Sequence, residues 1–169
     1  DLPSRYQNHP TAKLSSWCWE RRPLETMFKD ENTGEVILTR KLCGDGDDNL
    51  ELLEGLTTNV FVVYKDGRLK TADSQLVLNG YMRHEILRLA DHIDMPVDQS
   101  PIRLSERGEW KEVFVTSSIR IATSVDTLNT IHGNHHDGSV TVVPLWSQSS
   151  EGGDDASFVS KIFDFVNRE

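Results

Sequence analysis

The sequence predicts an α+β domain of mixed, mostly antiparallel strands with inserted helices. Its β-branched and aromatic runs are joined by short turns such as Lys65-Asp66-Gly67, a pattern typical of hairpins. Helical patterns are inserted between these hairpins and do not alternate regularly with single strands, so a doubly wound parallel sheet is not expected. At 169 residues and without an internal repeat, the chain suits one domain spanning 1–169.

Composition limits the partners and the compartment. A formal net charge of −9 argues against binding to nucleic acid or to an anionic membrane surface. No apolar run approaches the ~20 residues that span a bilayer. Cys18 and Cys43 make no disulfide framework, so we expect an intracellular, cytoplasmic protein. The chain begins at Asp1 without a Met, and an organelle signal therefore stays open.

The first forty residues predict a strand that follows a segment with two tryptophans and a proline. Trp17 and Trp19 belong either to the core or to the wall of a site. A helix in this segment would start late or break at Pro23. Residues 35–40 are mainly apolar and β-branched and predict a strand. The acidic stretch 44–48 lacks the closing Glu of a calcium loop, which favours a solvated loop.

The chain is organised around residues 54–64, where a carboxylate stands at the head of a buried-strand pattern. Glu54 is followed by Gly55, then two threonines, then the β-branched and aromatic run 59–64. Glycine allows close approach of a ligand to the backbone, and the hydroxyls and amides beyond it can bind an anion. This order predicts that Glu54 points into a site whose partner carries a proton or a positive charge.

A second segment predicts a helix that starts at an anion site. Apolar residues recur at helical spacing from Tyr81 to about Ile93. Asn79 is a candidate N-cap, and Gly80 frees backbone amides at the helix start. Such amides, with the positive end of the helix dipole, bind phosphate. The alternative is a well-capped core helix without a ligand.

The C-terminal half predicts two strands and a helix. Residues 112–120 predict a buried strand ending in hydroxyls, and residues 140–145 a further strand. After a linker at 147–155, residues 156–167 predict an amphipathic helix. Its inner side is predicted to carry Phe158, Val159, Ile162, Phe163 and Val166.

Three histidines invite a metal interpretation. His132, His135 and His136 are followed by Asp137, but the segment is packed with turn formers and lies on no predicted strand or helix. Metal ligands need a scaffold that fixes their geometry. We therefore expect a solvent loop here and no metal.

Three segments resemble motifs of the class IV pyridoxal-phosphate enzymes, the family of branched-chain and D-amino-acid aminotransferases and aminodeoxychorismate lyases. Residues 54–61 are similar to E-G-x-[ST]-x-N-[VIL]-F. Residues 78–83 are similar to L-P-G-[IVL]-[TM]-R, with Asn79 in place of Pro. Residues 112–118 are similar to E-[VA]-F-[LM]-[TS]-[GS]-[TS]. The match implies the family's larger, C-terminal cofactor domain, with a D-amino-acid-aminotransferase-like fold.

The resemblance also implies a cofactor, pyridoxal 5'-phosphate, and the residues that bind it. Lys13 resembles the family's Schiff-base lysine in position and context, ahead of Lys29, Lys41, Lys65 and Lys70. Glu54 takes the place of the acid that holds the protonated pyridine nitrogen. The candidates for contact with the phosphate, with no choice made among them, are Thr57, Thr58, Gly80, Tyr81, Met82, Ser117 and Ser118.

Two residues bear on the substrate. Ile119 and Arg120 replace the small residues typical of aminotransferases, which puts simple branched-chain specificity in doubt. Arg120 either binds a substrate carboxylate bidentately or forms a salt bridge elsewhere.

The resemblance implies an enzyme acting on an amino acid and a 2-oxo acid, an aminotransferase in preference to a lyase. A homodimer is expected, and the family's smaller N-terminal domain is expected to be absent from this chain. Two alternatives stay open: an aminodeoxychorismate-lyase-like enzyme, and a truncated, non-catalytic relative that acts as a binding module.

Overall fold

In the computed structural model, residues 9–42, 49–129, 142–146 and 157–167 are described. Three predicted segments lie outside these ranges: the acidic stretch 44–48, the histidine-rich turn 132–138 and the linker 147–155. The helices are α1 (Trp17–Glu20), α2 (Arg22–Phe28), α3 (Tyr81–His92) and α4 (Phe158–Val166), with a 3₁₀ helix at Leu104–Glu109. The strands are β1 (Glu35–Lys41), β2 (Leu50–Gly55), β3 (Asn59–Tyr64), β4 (Leu69–Thr71), β5 (Val97–Asp98), β6 (Ile102–Arg103), β7 (Trp110–Ser117), β8 (Ile121–Ser124), β9 (Thr127–Leu128) and β10 (Val142–Trp146).

The described strands form two groups that meet at one point. One group runs β9-β10-β1-β2-β6, and the other β5-β4-β3-β7-β8. They join where Glu54 of β2 pairs with Asn59 of β3. The pairs are antiparallel except β4 with β5, so the predicted α+β class, mixed helices with mainly antiparallel strands, is confirmed.

Alternating residues of the strands build the core in layers. Val60 and Val62 of β3 pack with Ile37 and Leu52 of the other group, so one cluster lies between the two groups. Their neighbours along β3, Phe61 and Val63, instead pack against α3 and α4. The period-two alternation of a strand thus serves two different hydrophobic layers.

The remaining layer lies on the outer side of β1. Trp17 of α1 packs with Val36, Leu38 and Leu56, while Leu24 and Phe28 of α2 extend this cluster. The helical segment breaks between α1 and α2, with Pro23 at the start of α2, as its fixed φ and missing N–H predict.

The predicted strands at 35–40 and 59–64 and the helix from Tyr81 are confirmed, but one strand boundary and one buried helix face differ. The strand predicted over 112–120 ends at Ser117, because the chain turns back there and Ser117 pairs with Ile121 of β8. In α4, Phe163 was predicted to face inward and is 38% exposed, whereas Phe165 lies 6.1 Å from the His92 ring. Contact with α3 therefore rotates the buried stripe of α4.

Candidate functional site

The site is centred on Glu54, which the structure places inside β2 and not ahead of β3. The side chain is 2% exposed, and its Oε2 accepts a hydrogen bond from Leu78 N at 3.1 Å. A buried carboxylate is costly unless hydrogen-bonded, and Leu78 supplies such a donor. Because Leu78 lies two residues before Gly80, this bond brings the predicted acid to the start of α3.

Asn59, opposite Glu54 in the strand register, ties β3 to the same segment. Its Nδ2 donates to Leu78 O at 2.7 Å. A Cβ added at Gly80 would lie 2.4 Å from Asn59 Oδ1, so no larger residue fits at Gly80 without moving Asn59. Glycine is needed here for the close approach.

The start of α3 is free of a side-chain cap. The N-cap is Gly80, with extended backbone (φ −65°, ψ 151°), and not the predicted Asn79. Asn79 Oδ1 instead accepts a hydrogen bond from Arg83 Nη1 at 2.9 Å, which takes the capping oxygen away from the amides. Tyr81 is exposed and Met82 is buried. Uncapped first-turn amides and the helix dipole together favour an anion here.

Two buried hydroxyls near this point have no hydrogen-bond partner among the described residues. They are Thr58 Oγ1 and Thr116 Oγ1. Thr116 is 1% exposed and pairs with Asn59 across β3 and β7. Buried polar atoms are normally satisfied, and an orphan hydroxyl suggests an absent ligand or water. A Cβ on Gly55 would lie 2.0 Å from Thr58 Oγ1, so Gly55 makes room for that hydroxyl.

The other predicted hydroxyls lie at the surface or are engaged. Thr57 is exposed, and its Oγ1 donates to Glu35 Oε2 at 2.9 Å. Ser117 Oγ accepts from Arg120 N at 3.1 Å, and Ser118 is exposed. The structure therefore brings Thr58 to the Glu54 region and leaves Ser118 outside its buried part.

Ile119 and Arg120 form an exposed turn beside a cavity. Ile119 is 94% exposed, and Arg120 Nη1 donates to Gly34 O at 3.3 Å. A cavity of about 350 Å³ is lined by Gly34, Glu35, Val115, Arg120, Thr123, Ser124 and Val125. Within the described residues Arg120 makes no ion pair, so its guanidinium is open to an acidic group.

Lys13 is exposed, and a buried tryptophan anchors its segment. Trp17 is 8% exposed, and its Nε1 donates to Leu56 O at 2.7 Å. The segment that carries Lys13 is therefore fixed to the chain two residues beyond Glu54. Trp19, by contrast, is 66% exposed and lies under the Arg22 guanidinium, 4.3 Å from the ring centroid.

Of the competing lysines, Lys70 is the buried one and is fully engaged. Its Nζ lies 3.2 Å from Pro101 O, 3.4 Å from Glu106 Oε2 and 3.5 Å from Asp98 Oδ2. Lys65 Nζ donates to Gly108 O at 2.5 Å. An amine held by two carboxylates and a carbonyl would have to give up these contacts before it could attack a cofactor. Lys70 is thus unsuited to the role predicted for Lys13.

Sequence reasoning gave no role to Asn59, Arg83 or Thr116, although each lies inside a quoted motif. The motif strings contained the signal, since Asn59 and Thr116 occupy the positions written N and [TS], and Arg83 the final R. Among the described residues there is neither a cluster of three or more potential metal ligands nor a helix that could span a bilayer.

A buried acid, an uncapped helix start and two orphan hydroxyls lie at a sheet junction, an arrangement that suits a ligand with an anionic end and a cationic or protonated end. The comparisons with known proteins agree with this interpretation. The model of the amino-transferase class IV family matches residues 4–128. The chain belongs to this family.

Two relatives illustrate the match. The "Probable branched-chain-amino-acid aminotransferase" of Thermotoga maritima is 29% identical over 102 residues, covering 56% of this chain and 37% of the relative. A solved branched-chain aminotransferase of the thermophilic archaeon Thermoproteus uzoniensis, with norvaline, superposes with a TM-score of 0.65 at 18% identity, covering 97% of this chain and 46% of that one. The second likeness concerns the fold. The chain spans less than half the length of either relative.

Class IV aminotransferases normally use pyridoxal phosphate, and the residues present fit that group. A carboxylate suits a protonated pyridine nitrogen, and free amides with buried hydroxyls suit a phosphate. The fit rests on the orphan hydroxyls of Thr58 and Thr116 and on the space that Gly80 leaves beside Asn59.

Proposed function

We propose that the chain is the cofactor-binding part of a pyridoxal-phosphate-dependent aminotransferase acting on an amino acid and a 2-oxo acid. The hydrogen bond from Leu78 N to Glu54 Oε2 carries the proposal. It links an ionisable carboxylate to the segment that opens α3, and the cofactor needs an acid at its ring nitrogen and an anion site at its phosphate.

Each residue has a defined task. Pyridoxal phosphate, when bound, supplies an electron sink for the bond that breaks at the substrate α-carbon. Glu54 would accept a hydrogen bond from the protonated ring nitrogen of the cofactor and so keep that proton in place. The groups that we assign to the phosphate are the amides of Tyr81 and Met82 and the hydroxyls of Thr58 and Thr116, with Gly80 giving access and Thr57, Ser117 and Ser118 as further candidates.

Lys13 is the proposed attachment and proton-transfer residue. Its Nζ would hold the cofactor and, as a free amine, would accept the α-proton of the substrate and return it. Lys13 is exposed in the chain. We assign its covering to a smaller N-terminal domain of the same protein and to the second subunit of a homodimer. Such an enzyme would work inside the cell.

Arg120 is the proposed recognition residue for a substrate carboxylate. It stands at the cavity that Glu35 and Ser124 also line, and a guanidinium with free N–H groups binds carboxylates in a fork. The substrates proposed are those of branched-chain or D-amino-acid aminotransferases.

The test is an absorption spectrum of the chain with pyridoxal phosphate, followed by borohydride reduction and mass mapping. The expected result is a band above about 400 nm and a stable adduct on Lys13. Both should disappear in Lys13→Ala and persist in Lys29→Ala, which removes another exposed lysine. An adduct on a different lysine would contradict the assignment.

The exposure of Lys13 favours a second candidate, a non-catalytic relative that keeps the fold as a binding module. Absence of the band in the wild-type chain, with or without its N-terminal domain, would support this module. A lyase activity would instead appear as release of a product without transfer of the amino group.

A further inference from the structure

Arg83, in the first turn of α3, is buried and has no task in the chemistry described above. It is 4% exposed, and a buried guanidinium needs several acceptors because burying a charge is costly. Its Nη1 donates to Asn79 Oδ1 at 2.9 Å. Its Nη2 donates to Ala72 O at 2.9 Å and to Gln99 Oε1 at 3.0 Å. Arg83 thereby joins three separate segments of the chain.

The contact with Asn79 matters most, because Asn79 lies between the two functional ends of the site. On one side, Leu78 N donates to Glu54 Oε2. On the other side, Gly80 begins α3 with its uncapped amides. The segment 78–80 is therefore held by Glu54 at its first residue and by Arg83 at its second.

Charge connects Arg83 to Glu54 as well. Burial lowers the pKa of Arg83, and the negative charges of Asp73 and Glu54 oppose this shift. Arginine keeps its proton in proteins, so the buried guanidinium stays charged. Its attraction to these two carboxylates adds to the contact that it makes through Asn79.

We infer that Arg83 is a positioning residue that couples the two ends of the site. Through Asn79 it sets the segment 78–80 that opens α3, and Leu78 of that segment donates to Glu54. The inference rests on the proposed function for the identity of the ligand, but the coupling itself is a property of the ligand-free chain.

The first test uses the chain without ligand in a double-mutant cycle. Unfolding by urea is measured for Arg83→Met, Glu54→Gln and the double variant. The losses of stability should not add, because both side chains hold the same segment, Glu54 through Leu78 and Arg83 through Asn79. The control cycle pairs Glu54→Gln with Arg88→Met, one turn further along α3 and ion-paired with Glu85, and should be additive. Additivity in the Arg83 cycle would overturn the inference.

The second test separates charge from geometry by measuring pyridoxal phosphate affinity. Arg83→Met should weaken binding about tenfold or more, whereas Arg88→Met should stay within about twofold. Arg83→Lys keeps the charge but cannot bridge Asn79 and Gln99 with a planar fork. We expect it to retain only part of the coupling to Glu54 in the cycle and to bind pyridoxal phosphate at an intermediate level. Unchanged affinity in Arg83→Met would overturn the inference.

The two tests distinguish a failure of the proposed function from a failure of the inference about Arg83. If the wild-type chain binds no pyridoxal phosphate, the proposed function fails, and the ligand-free cycle still decides the role of Arg83. If Arg83→Met does not fold, Arg83→Lys and Arg83→Gln enter the same cycle. Additivity with both of them would then overturn the inference.

Discussion

Thr71 and Thr116 are buried threonines of the same sheet, each 1% exposed, with opposite hydrogen-bonding situations. Thr71 Oγ1 donates to Val60 O at 2.9 Å. Thr116 Oγ1 has no partner among the described residues. A satisfied buried hydroxyl stabilises the fold, whereas an unsatisfied one costs about 1–3 kcal/mol. The unsatisfied hydroxyl of Thr116 does not stabilise the ligand-free fold. We therefore propose that this hydroxyl binds a ligand.

Thr116→Val should therefore separate stability from binding. We expect the ligand-free chain to become more stable by about 1 kcal/mol and its affinity for pyridoxal phosphate to fall about tenfold. Thr71→Val, the matched control, should destabilise the chain by about 1 kcal/mol and leave affinity unchanged. Urea unfolding and an absorbance titration measure the two quantities. Equal destabilisation by both substitutions would mean that the Thr116 hydroxyl is already satisfied in the free chain.

At the scale of elements, the short parallel pair β4–β5 depends on charges. Asp98 of β5 accepts from Ser100 N at 2.8 Å and lies 3.1 Å from Arg68 Nη1 and 3.5 Å from Lys70 Nζ. Burial raises the pKa of Asp98, but the hydrogen bonds from Ser100 and the charge of Lys70 outweigh it, so that the pKa lies below its ordinary 3.8.

The sign of this shift predicts a pH dependence. A carboxyl whose pKa is depressed by folding contributes stability above its unfolded pKa, and loses it as pH falls through the folded value. Asp98→Asn should destabilise the chain by about 1 kcal/mol at pH 7. Its unfolding free energy should also fall less steeply than that of the wild type below pH 3.8. Urea unfolding from pH 7 to pH 2 checks this. Asp91→Asn, an exposed position on α3, serves as control, and equal slopes in all three proteins would contradict the prediction.

At the scale of the whole molecule, the sequence predicted those elements whose pattern lies within the element itself. The β-branched run of β3, the hairpin turn after it and the helical spacing of α3 are local, and each was recovered. Glu54, Gly55 and Gly80 were singled out as candidates in the same way, because a carboxylate and glycines at turns stand out in a sequence.

What the sequence could not supply was register and long-range contact. Thr116 joins the site only because β7 pairs with β3 so that it faces Asn59. Asn79 was predicted as the N-cap of α3, but its side-chain oxygen instead accepts a hydrogen bond from Arg83, one turn later. The inward face of α4 depends on where α3 lies. The place of Thr116 and the inward face of α4 depend on contacts between residues distant in sequence, which one chain without homologues does not reveal. Asn79 and Arg83 are only four residues apart, and here the choice between two local hydrogen bonds was missed.

The junction of the two strand groups gives the last prediction. Gly80, at the start of α3, lies against the side chain of Asn59. Asn59 pairs with Glu54 of the other strand group and donates a hydrogen bond to Leu78 O. The start of α3 therefore contacts both groups of strands at one point. A methyl group at Gly80 would lie 2.4 Å from Asn59 Oδ1. Asn59 can yield only by giving up its hydrogen bond to Leu78 O, since that bond fixes the amide.

Gly80→Ala should therefore destabilise the whole chain by about 1–3 kcal/mol and weaken pyridoxal phosphate binding together, because one displacement disturbs both the junction and the start of α3. Gly108→Ala is the matched control, since nothing lies within 4 Å of its added Cβ, and it should change stability by about 0.5 kcal/mol or less.

Urea unfolding with amide hydrogen exchange is the measurement. Faster exchange in β2 and β3 as well as in α3 is expected, because the junction carries the disturbance across. Faster exchange confined to α3 would show that the strand groups hold together without the contact of Asn59 with Gly80.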